Sequence, residues 1–385
     1  MASIGDAVLQ IVAFGLIILV VLRLTVGRFA FRMPRQARAR RIAAIGVGGA
    51  GCNAIDAIIQ AKVEGVDFIA CNTDLQALRR ARARRKLQIG RIATAGLGAG
   101  GDPELGRVAA EEDSDRIARE LRDVSLLFVA AGLGGGTGSG AAPLIARLAR
   151  EAGALTVAIV TTPFRFEGER RALVAATAAV ELGSAADTLI TVSNEQLNTV
   201  EPESASLLDA FGAADGVLTR AVSAITRLLT VPGLVNVDFA DLRTVLAGGG
   251  MAAVGIGQST GSERAGEAVG AAIASPLLEH GIDGARSILL HITGPADLRL
   301  AEVRGAAEEV RAAADPSANV IFGATVDRRL RDEVRITVIA TAFGESVPGL
   351  PRVALESIRL IDRNPRRRAP EPARGAAGSV DSAGQ

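Results

Sequence analysis

Seven residues, Gly134-Gly135-Gly136-Thr137-Gly138-Ser139-Gly140, constrain this chain more than any others. They follow the apolar run Leu126–Ala131, which reads as a buried strand, and precede Ala141–Glu151, which reads as a helix. Glycine lets a backbone approach a ligand closely and adopt positive φ. Thr137 and Ser139 add hydroxyls. A loop that feeds a helix N-terminus presents free N–H groups and a dipole that favours anions. The segment therefore reads as a phosphate cradle, and it lacks the Lys of a P-loop.

A second glycine loop lies upstream. The short strand candidate Ile42–Ile45 leads into Gly46-Val47-Gly48-Gly49-Ala50-Gly51 and then the helical segment Cys52–Lys62. That spacing matches the G-x-G-x-x-G dinucleotide fingerprint. The next strand candidate, Phe68–Cys71, ends in Asn72-Thr73-Asp74, which puts Asp74 about where a ribose-binding acid of a dehydrogenase belongs. A dinucleotide site has no need of the loop at 134–140, whereas a nucleoside triphosphate site can use both. The dehydrogenase reading also calls for a catalytic acid–base residue in the second half. His280 and His291, the two His of the chain, have no catalytic partner pattern around them.

Length and composition set limits. The chain has 385 residues, enough for about two domains with extensions. It has no Trp or Tyr and a net charge of +1, which argues against a nucleic-acid partner. Its two Cys, Cys52 and Cys71, allow no disulfide framework or zinc cluster, and read as small buried residues in a reducing cytosol. Ala7–Leu22 is apolar except for Gln10, and Leu24–Val26 extends it past Arg23. Arg23, Arg28, Arg32, Arg35, Arg38, Arg40 and Arg41 lie at or beyond its end. This reads as a membrane anchor over residues 7–26 with its C-terminal side in the cytoplasm, with an interfacial helix or a mis-assigned start as the alternatives.

Strand candidates Ile42–Ile45, Phe68–Cys71, Leu126–Ala131, Leu155–Val160 and Thr188–Val192 alternate with helical segments, the pattern of a parallel α/β sheet covered on both faces. Ligands of such sheets sit beyond the C-terminal strand ends. A long helical pattern over Ser204–Thr230 stops at Pro232-Gly233. Further strands are expected at Met251–Gly257, Ser287–Thr293, Asn319–Val326 and Arg335–Ala342, with helices at Arg264–Ile273 and Leu298–Ala313. The expected organisation is an anchor and basic segment at 1–40, a nucleotide-binding domain at 41–203, a central helix at 204–233, a second α+β domain at 234–345, and a disordered Pro- and Arg-rich tail at 346–385.

Three motifs now carry a resemblance: the loop Gly134–Gly140, Leu207-Leu208-Asp209-Ala210-Phe211-Gly212-Ala213-Ala214 within the long helix, and Asn236-Val237-Asp238-Phe239-Ala240-Asp241 after it. Over Arg41–Gly344 the chain resembles the FtsZ family, the bacterial tubulin-like cell-division GTPases. The resemblance implies that GTP or GDP is held by Gly48, Gly49 and Asn53, by Asn72 and Asp74, by Ala99, Gly100 and Gly101 at the γ-phosphate, and by Gly135, Gly136, Thr137, Gly138 and Ser139. It implies ribose contacts from Glu167, positive charge from Arg171, base contacts from Asn194 and Asp215, and stacking by Phe211. An acceptor facing the N1–H and N2–H₂ edge of guanine selects against adenine. Asp238 and Asp241, three residues apart and aided by Asn236, are implied to enter the next subunit's site and prime the attacking water, with Mg2+ or K+ at the subunit interface.

The implied assembly is a head-to-tail filament at the inner face of the membrane, in the Z ring at the division site. Division-machinery partners are implied to bind the C-terminal tail, although Pro351–Arg363 is a diverged version of the usual peptide. Gly101-Asp102 places an acid where other members often have Asn. A paralogue that binds GTP and modulates filaments with slow or no hydrolysis is the alternative, and the intact Asp238/Asp241 pair argues against it. The basic run Arg79–Lys86 also departs from the family; it reads as a solvated face or as a contact for anionic lipid.

Overall fold

The computed structural model describes residues 40–197, 206–231, 233–235, 237–275, 278 and 281–342. The expected anchor at 7–26, the tail at 346–385, Asn236 and His280 lie outside them. No helix among the described residues is long and apolar enough to cross a membrane.

The strands are β1 (Arg41–Val47), β2 (Val66–Asn72), β3 (Arg85–Gln88), β4 (Val124–Gly132), β5 (Leu155–Thr162), β6 (Thr188–Ser193), β7 (Gly250–Thr260), β8 (Ser287–Gly294), β9 (Asn319–Val326) and β10 (Glu333–Thr341). The helices of the first half are α1 (Gly48–Gln60), α2 (Leu75–Arg80), α3 (Arg91–Thr94), α4 (Pro103–Glu112), α5 (Ser114–Glu120), α6 (Gly136–Glu151), α7 (Glu169–Ala185) and α8 (Asn194–Leu197). Then follow α9 (Leu207–Thr230), α10 (Phe239–Leu246), α11 (Arg264–Ile273) and α12 (Leu300–Ala313).

Pairing runs β3-β2-β1-β4-β5-β6-β7-β10-β8-β9. The near-continuous apolar strands of the first half fill both faces of a parallel sheet. On β4, Leu126, Phe128 and Ala130 join the core beneath α1 and α9, while Leu127, Val129 and Ala131 join the core beneath α6 and α7. A third core lies between β7, β8, β10 and helices α11 and α12. The halves are one continuous sheet, because β7 continues parallel from β6 over Thr188↔Gly250 to Ile190↔Ala252 before pairing antiparallel with β10. Further along, Arg227 of α9 reaches Asp327, just after β9, at 3.0 Å.

Two features differ from the sequence expectation. The glycine segments are largely helical: α6 starts at Gly136 and α1 at Gly48. Absent side chains allow this, since a Cβ at Gly138 would lie 2.4 Å from the Gly132 carbonyl oxygen and one at Gly140 would lie 1.9 Å from that of Pro103. The basic run Arg79–Lys86 contains the end of α2 and the start of β3, an edge strand paired to β2 by Ile69↔Arg85 to Asn72↔Gln88. Leu87 is buried there and anchors it.

Candidate functional site

Strands β1, β4, β5 and β6 end at Val47, Gly132, Thr162 and Ser193, and the residues at or just beyond these ends enclose a cavity of about 490 Å³. Its phosphate-facing part is built from two helix starts. The N-cap of α1 is Val47 and that of α6 is Gly135, and neither helix receives a side-chain capping bond. The first turn of each helix carries N–H groups without intrahelical partners, which makes both ends anion sites. Gly49 and Gly135 have open space where a Cβ would stand. Gly48 holds φ at +74°, a left-handed value that admits β1 directly into α1. The Thr73 and Thr137 hydroxyls, 2.7 Å apart, tie the end of β2 to the first turn of α6.

The other end of the cavity suits a base. Asn194, just beyond β6, is buried, and its side-chain oxygen finds no hydrogen-bond donor among the described residues. Asp215 on α9 lines the same cavity, and burial pushes its carboxyl up to about 6. Phe211, Ala214, Asp215 and Leu218 share one face of α9 at helical spacing and all line the cavity. Phe211 is 43% exposed and meets Phe164 edge-on, with ring centroids 5.4 Å apart. Phe164 in turn stacks on Phe166 at 5.0 Å. Glu167 takes the Phe164 backbone N–H at 3.0 Å and pairs with Arg171, so the two ends of the Arg165–Glu167 turn are fixed beside the opening.

The structure thus brings Gly48, Gly49, Asn53, Gly135, Gly136, Thr137, Gly138, Glu167, Arg171, Asn194, Phe211 and Asp215 together. Other expected residues stand outside the lining. Ser139 accepts the Gly134 N–H at 2.9 Å and braces the loop from within. Asn72 accepts the Asp74 N–H at 3.3 Å, and Asp74 caps α2 through the Gln76 and Ala77 N–H groups. Asp74 stands outside the cavity lining, which leaves a dinucleotide ribose contact from it without support. Ala99 is buried and Gly100 and Gly101 hold positive φ, in a loop closed by Asp102, the N-cap of α4. Asp102 spends its charge on that cap, accepting the Glu104 N–H at 2.9 Å.

Asp238 and Asp241 also lie outside the cavity lining. Asp238 is the N-cap of α10 and accepts the Asp241 N–H at 2.8 Å, while Asp241 accepts the Asp238 N–H at 3.2 Å. Each carboxylate uses one oxygen in this reciprocal box. Lining residues that sequence reasoning missed include Thr161, Thr162 and Pro163. Their signal was available: they end a parallel strand, where such sheets bind ligands. Among the described residues no group of three or more His, Cys, Asp and Glu is placed to hold a metal ion.

A parallel sheet with two uncapped helix starts and a base-sized slot beyond its strand ends defines a nucleotide-binding α/β protein. Residues 41–202 match the Tubulin/FtsZ family GTPase domain, and residues 250–344 match the FtsZ family C-terminal domain. Among solved structures, an empty FtsZ dimer from M. jannaschii is 41% identical, with a TM-score of 0.76, over 82% of this chain and 96% of that one. A point mutant of M. jannaschii FtsZ is 43% identical, with a TM-score of 0.76, over 79% of this chain and 91% of that one. The GTPγS-bound protofilament of CetZ2 from Haloferax volcanii is 24% identical, with a TM-score of 0.69, over 84% of this chain and 99% of that one, and shares the fold. The chain belongs to the Tubulin/FtsZ family: it is a GTPase and binds GTP and GDP.

Proposed function

We propose that this GTPase assembles head-to-tail into filaments for bacterial cell division, with each catalytic centre shared between neighbours. Val47 to Asn53 and Gly135 to Gly138 hold the triphosphate of one subunit, with Ala99, Gly100 and Gly101 closing over the γ-phosphate. Asn194 and Asp215 accept hydrogen bonds from the guanine N1–H and N2–H₂ edge, and Phe211 covers the purine face. Asp238, Asp241 and Asn236 of the adjoining subunit orient the attacking water and draw off its proton. A Mg2+ or K+ ion at the junction offsets phosphate charge. The apolar segment at 7–26 tethers the filament to the inner face of the membrane, and the tail engages other division proteins.

The observation that carries this reading is the separation of two halves of one chemistry. Among the described residues the acids of the cavity lining are Glu167, paired with Arg171, and Asp215, beside Phe211 on α9, while Asp238 and Asp241 stand outside it at the start of α10. Adenine presents an acceptor at N1 and no donor at C2, so it offers the Asp215 carboxylate nothing along the edge where guanine offers N1–H and N2–H₂. A monomer built this way binds GTP and hydrolyses it when a copy docks. M. jannaschii FtsZ is described as a dimer and CetZ2 as a protofilament, which supports self-association here.

Mixing two inactive variants tests it. Gly135→Ala fills the cavity and keeps the acids; Asp241→Asn keeps the cavity and removes an acid. Each alone is expected to turn over GTP at under about 1% of the parent rate, and an equimolar mixture to regain a substantial fraction, because half-sites pair across the interface. Mixtures as inactive as their parts, together with a per-molecule rate independent of protein concentration, overturn the shared site.

A further inference from the structure

The basic run Arg79–Lys86 takes no part in the nucleotide chemistry, yet the fold displays it systematically. Arg79 and Arg80 end α2, Arg82 and Arg84 occupy the following turn, and Arg85 and Lys86 open β3. All six cationic side chains are exposed, whereas the interleaved Ala81, Ala83 and Leu87 are buried. The run leads into β3 at the edge of the sheet, and all of its charges are open to solvent. Arg79, Arg80, Arg82 and Arg84 form no ion pair among the described residues. Asp56, the nearby acid, accepts the Arg82 backbone N–H at 2.7 Å. Arg85 alone in the run is paired, to Glu120 at 3.0 Å and more distantly to Asp67 at 3.9 Å.

Beside the strand runs an open groove of about 460 Å³, lined by Arg85, Lys86, Arg116, Arg119 and Glu120 over Ile69 and Leu87. Its cations are held in place rather than all neutralised. The Lys86 ammonium donates to the Arg79 carbonyl at 2.7 Å, and Arg119 to the Asp115 carbonyl at 3.1 Å. Arg116 pairs with Asp113 at 2.5 Å.

Charge on an edge strand blocks sheet-to-sheet pairing. That role is served by charge of either sign and explains β3 itself, but not the four unpaired arginines before it. We propose that this edge is a docking surface for an anionic lipid bilayer, with the groove seating a phosphate-bearing headgroup. The proposal rests on the membrane tether read from residues 7–26, which places the surface near lipid. Nucleic acid is disfavoured because the chain has no Trp or Tyr for base stacking and the positive charge is local, the net being +1. Basic side chains close to an anionic leaflet strengthen association by about fivefold each at moderate salt, so the array supplies attraction that a tether alone does not.

The test uses the full chain with its tether and two vesicle compositions: neutral phosphatidylcholine, and the same lipid with about 30 mol % phosphatidylserine. Binding to neutral vesicles reports the tether; the extra binding to anionic vesicles reports electrostatics. The variant Arg79→Glu/Arg82→Glu/Arg84→Glu is expected to bind anionic vesicles at least about tenfold more weakly than the parent. Its neutral-vesicle binding, thermal midpoint and GTP turnover in solution are expected to be unchanged. Equal binding of parent and variant to anionic vesicles overturns the docking surface and leaves edge protection. Loss of RNA binding in place of vesicle binding overturns it in favour of a nucleic-acid partner. If neither protein binds neutral vesicles, the tether fails, while the difference on anionic vesicles still decides the surface.

Discussion

Helices α1 and α6 start bare, while α10 starts with two acids that satisfy each other's backbone. The difference fits the proposed sharing of the catalytic centre between subunits. At Asp238 the cap is closed within the chain, and the helix end needs nothing more. At Gly48 and Gly136 the N–H groups and the dipole are left open to solvent, a local cost of roughly 1 kcal/mol per missing cap that a bound phosphate offsets many times over. The bare ends are therefore a permanent anion site. The capped end is a stable mount that still leaves one oxygen on each carboxylate for a partner.

The most severe way to break this contrast is to put a side chain on a bare end. Gly138→Ala drives a Cβ to 2.4 Å from the Gly132 carbonyl oxygen, and is expected to lower the thermal midpoint and cut GDP affinity by more than about 100-fold. Gly135→Ala separates the two effects. Its Cβ meets nothing within 4 Å, so calorimetry without nucleotide should show a change within about 1 kcal/mol while nucleotide titration shows the affinity collapse. A Gly135→Ala protein that binds GDP normally would show that the bare end of α6 is not where phosphate sits.

Asp241→Asn attacks the capped end and spares its cap, because the amide oxygen still accepts the Asp238 N–H. GTP turnover is expected to fall about 100-fold with GDP affinity within about twofold and an unchanged midpoint. An equal loss of affinity would place the acid in binding rather than chemistry.

A gentler probe is pH. Burial raises the Asp215 carboxyl to about 6, so the free protein holds it protonated below that pH, whereas guanine donors favour the carboxylate. GDP affinity is expected to fall up to about tenfold per pH unit below 6, and Asp215→Asn is expected to flatten the profile. A parent and an Asp215→Asn protein with the same slope would move the base contact elsewhere.

A probe of the same maximal slope acts on folding and provides the control for that profile. His291 is buried against Thr325, and burial lowers it from 6.5 to about 4. A depressed imidazole contributes fully above its unfolded value, and stability is lost as pH falls from 6.5 towards 4, at no more than about 1.4 kcal/mol per pH unit. Chemical unfolding at pH 7 and pH 5 measures it, and His291→Gln should reduce the difference.

The parallel half of the fold was legible apart from β3, because β1, β2, β4, β5 and β6 each contain a mainly apolar run followed by turn chemistry. The cavity residues were legible as motifs, and Asn194, Phe211 and Asp215 converge although they are distant in the chain from Gly48 and Gly135. Edge strand β3 was hidden, because Arg85-Lys86-Leu87-Gln88 carries one buried apolar side chain and owes its conformation to pairing with β2. The join of β6 to β7 could not be read either, as long-range pairing leaves no local pattern. Helix starts inside glycine runs escaped for a related reason: glycine is a poor helix former, and only close packing of backbone on backbone repays its entropy. The Asp238/Asp241 box was readable from its spacing, since an acid followed three residues later by another before an apolar turn is a cap signature.

The floor of the nucleotide cavity is backbone, and this limits how the protein can change over generations. Where Gly136 and Gly138 line it there is no side chain to exchange, and a Cβ there would come within 2.8 Å of the Asp102 carbonyl oxygen or 2.4 Å of that of Gly132. A compound that exploited those surfaces would leave few routes to resistance by point mutation. One that relied on a side chain such as Phe211 would meet a group that a point mutation can replace.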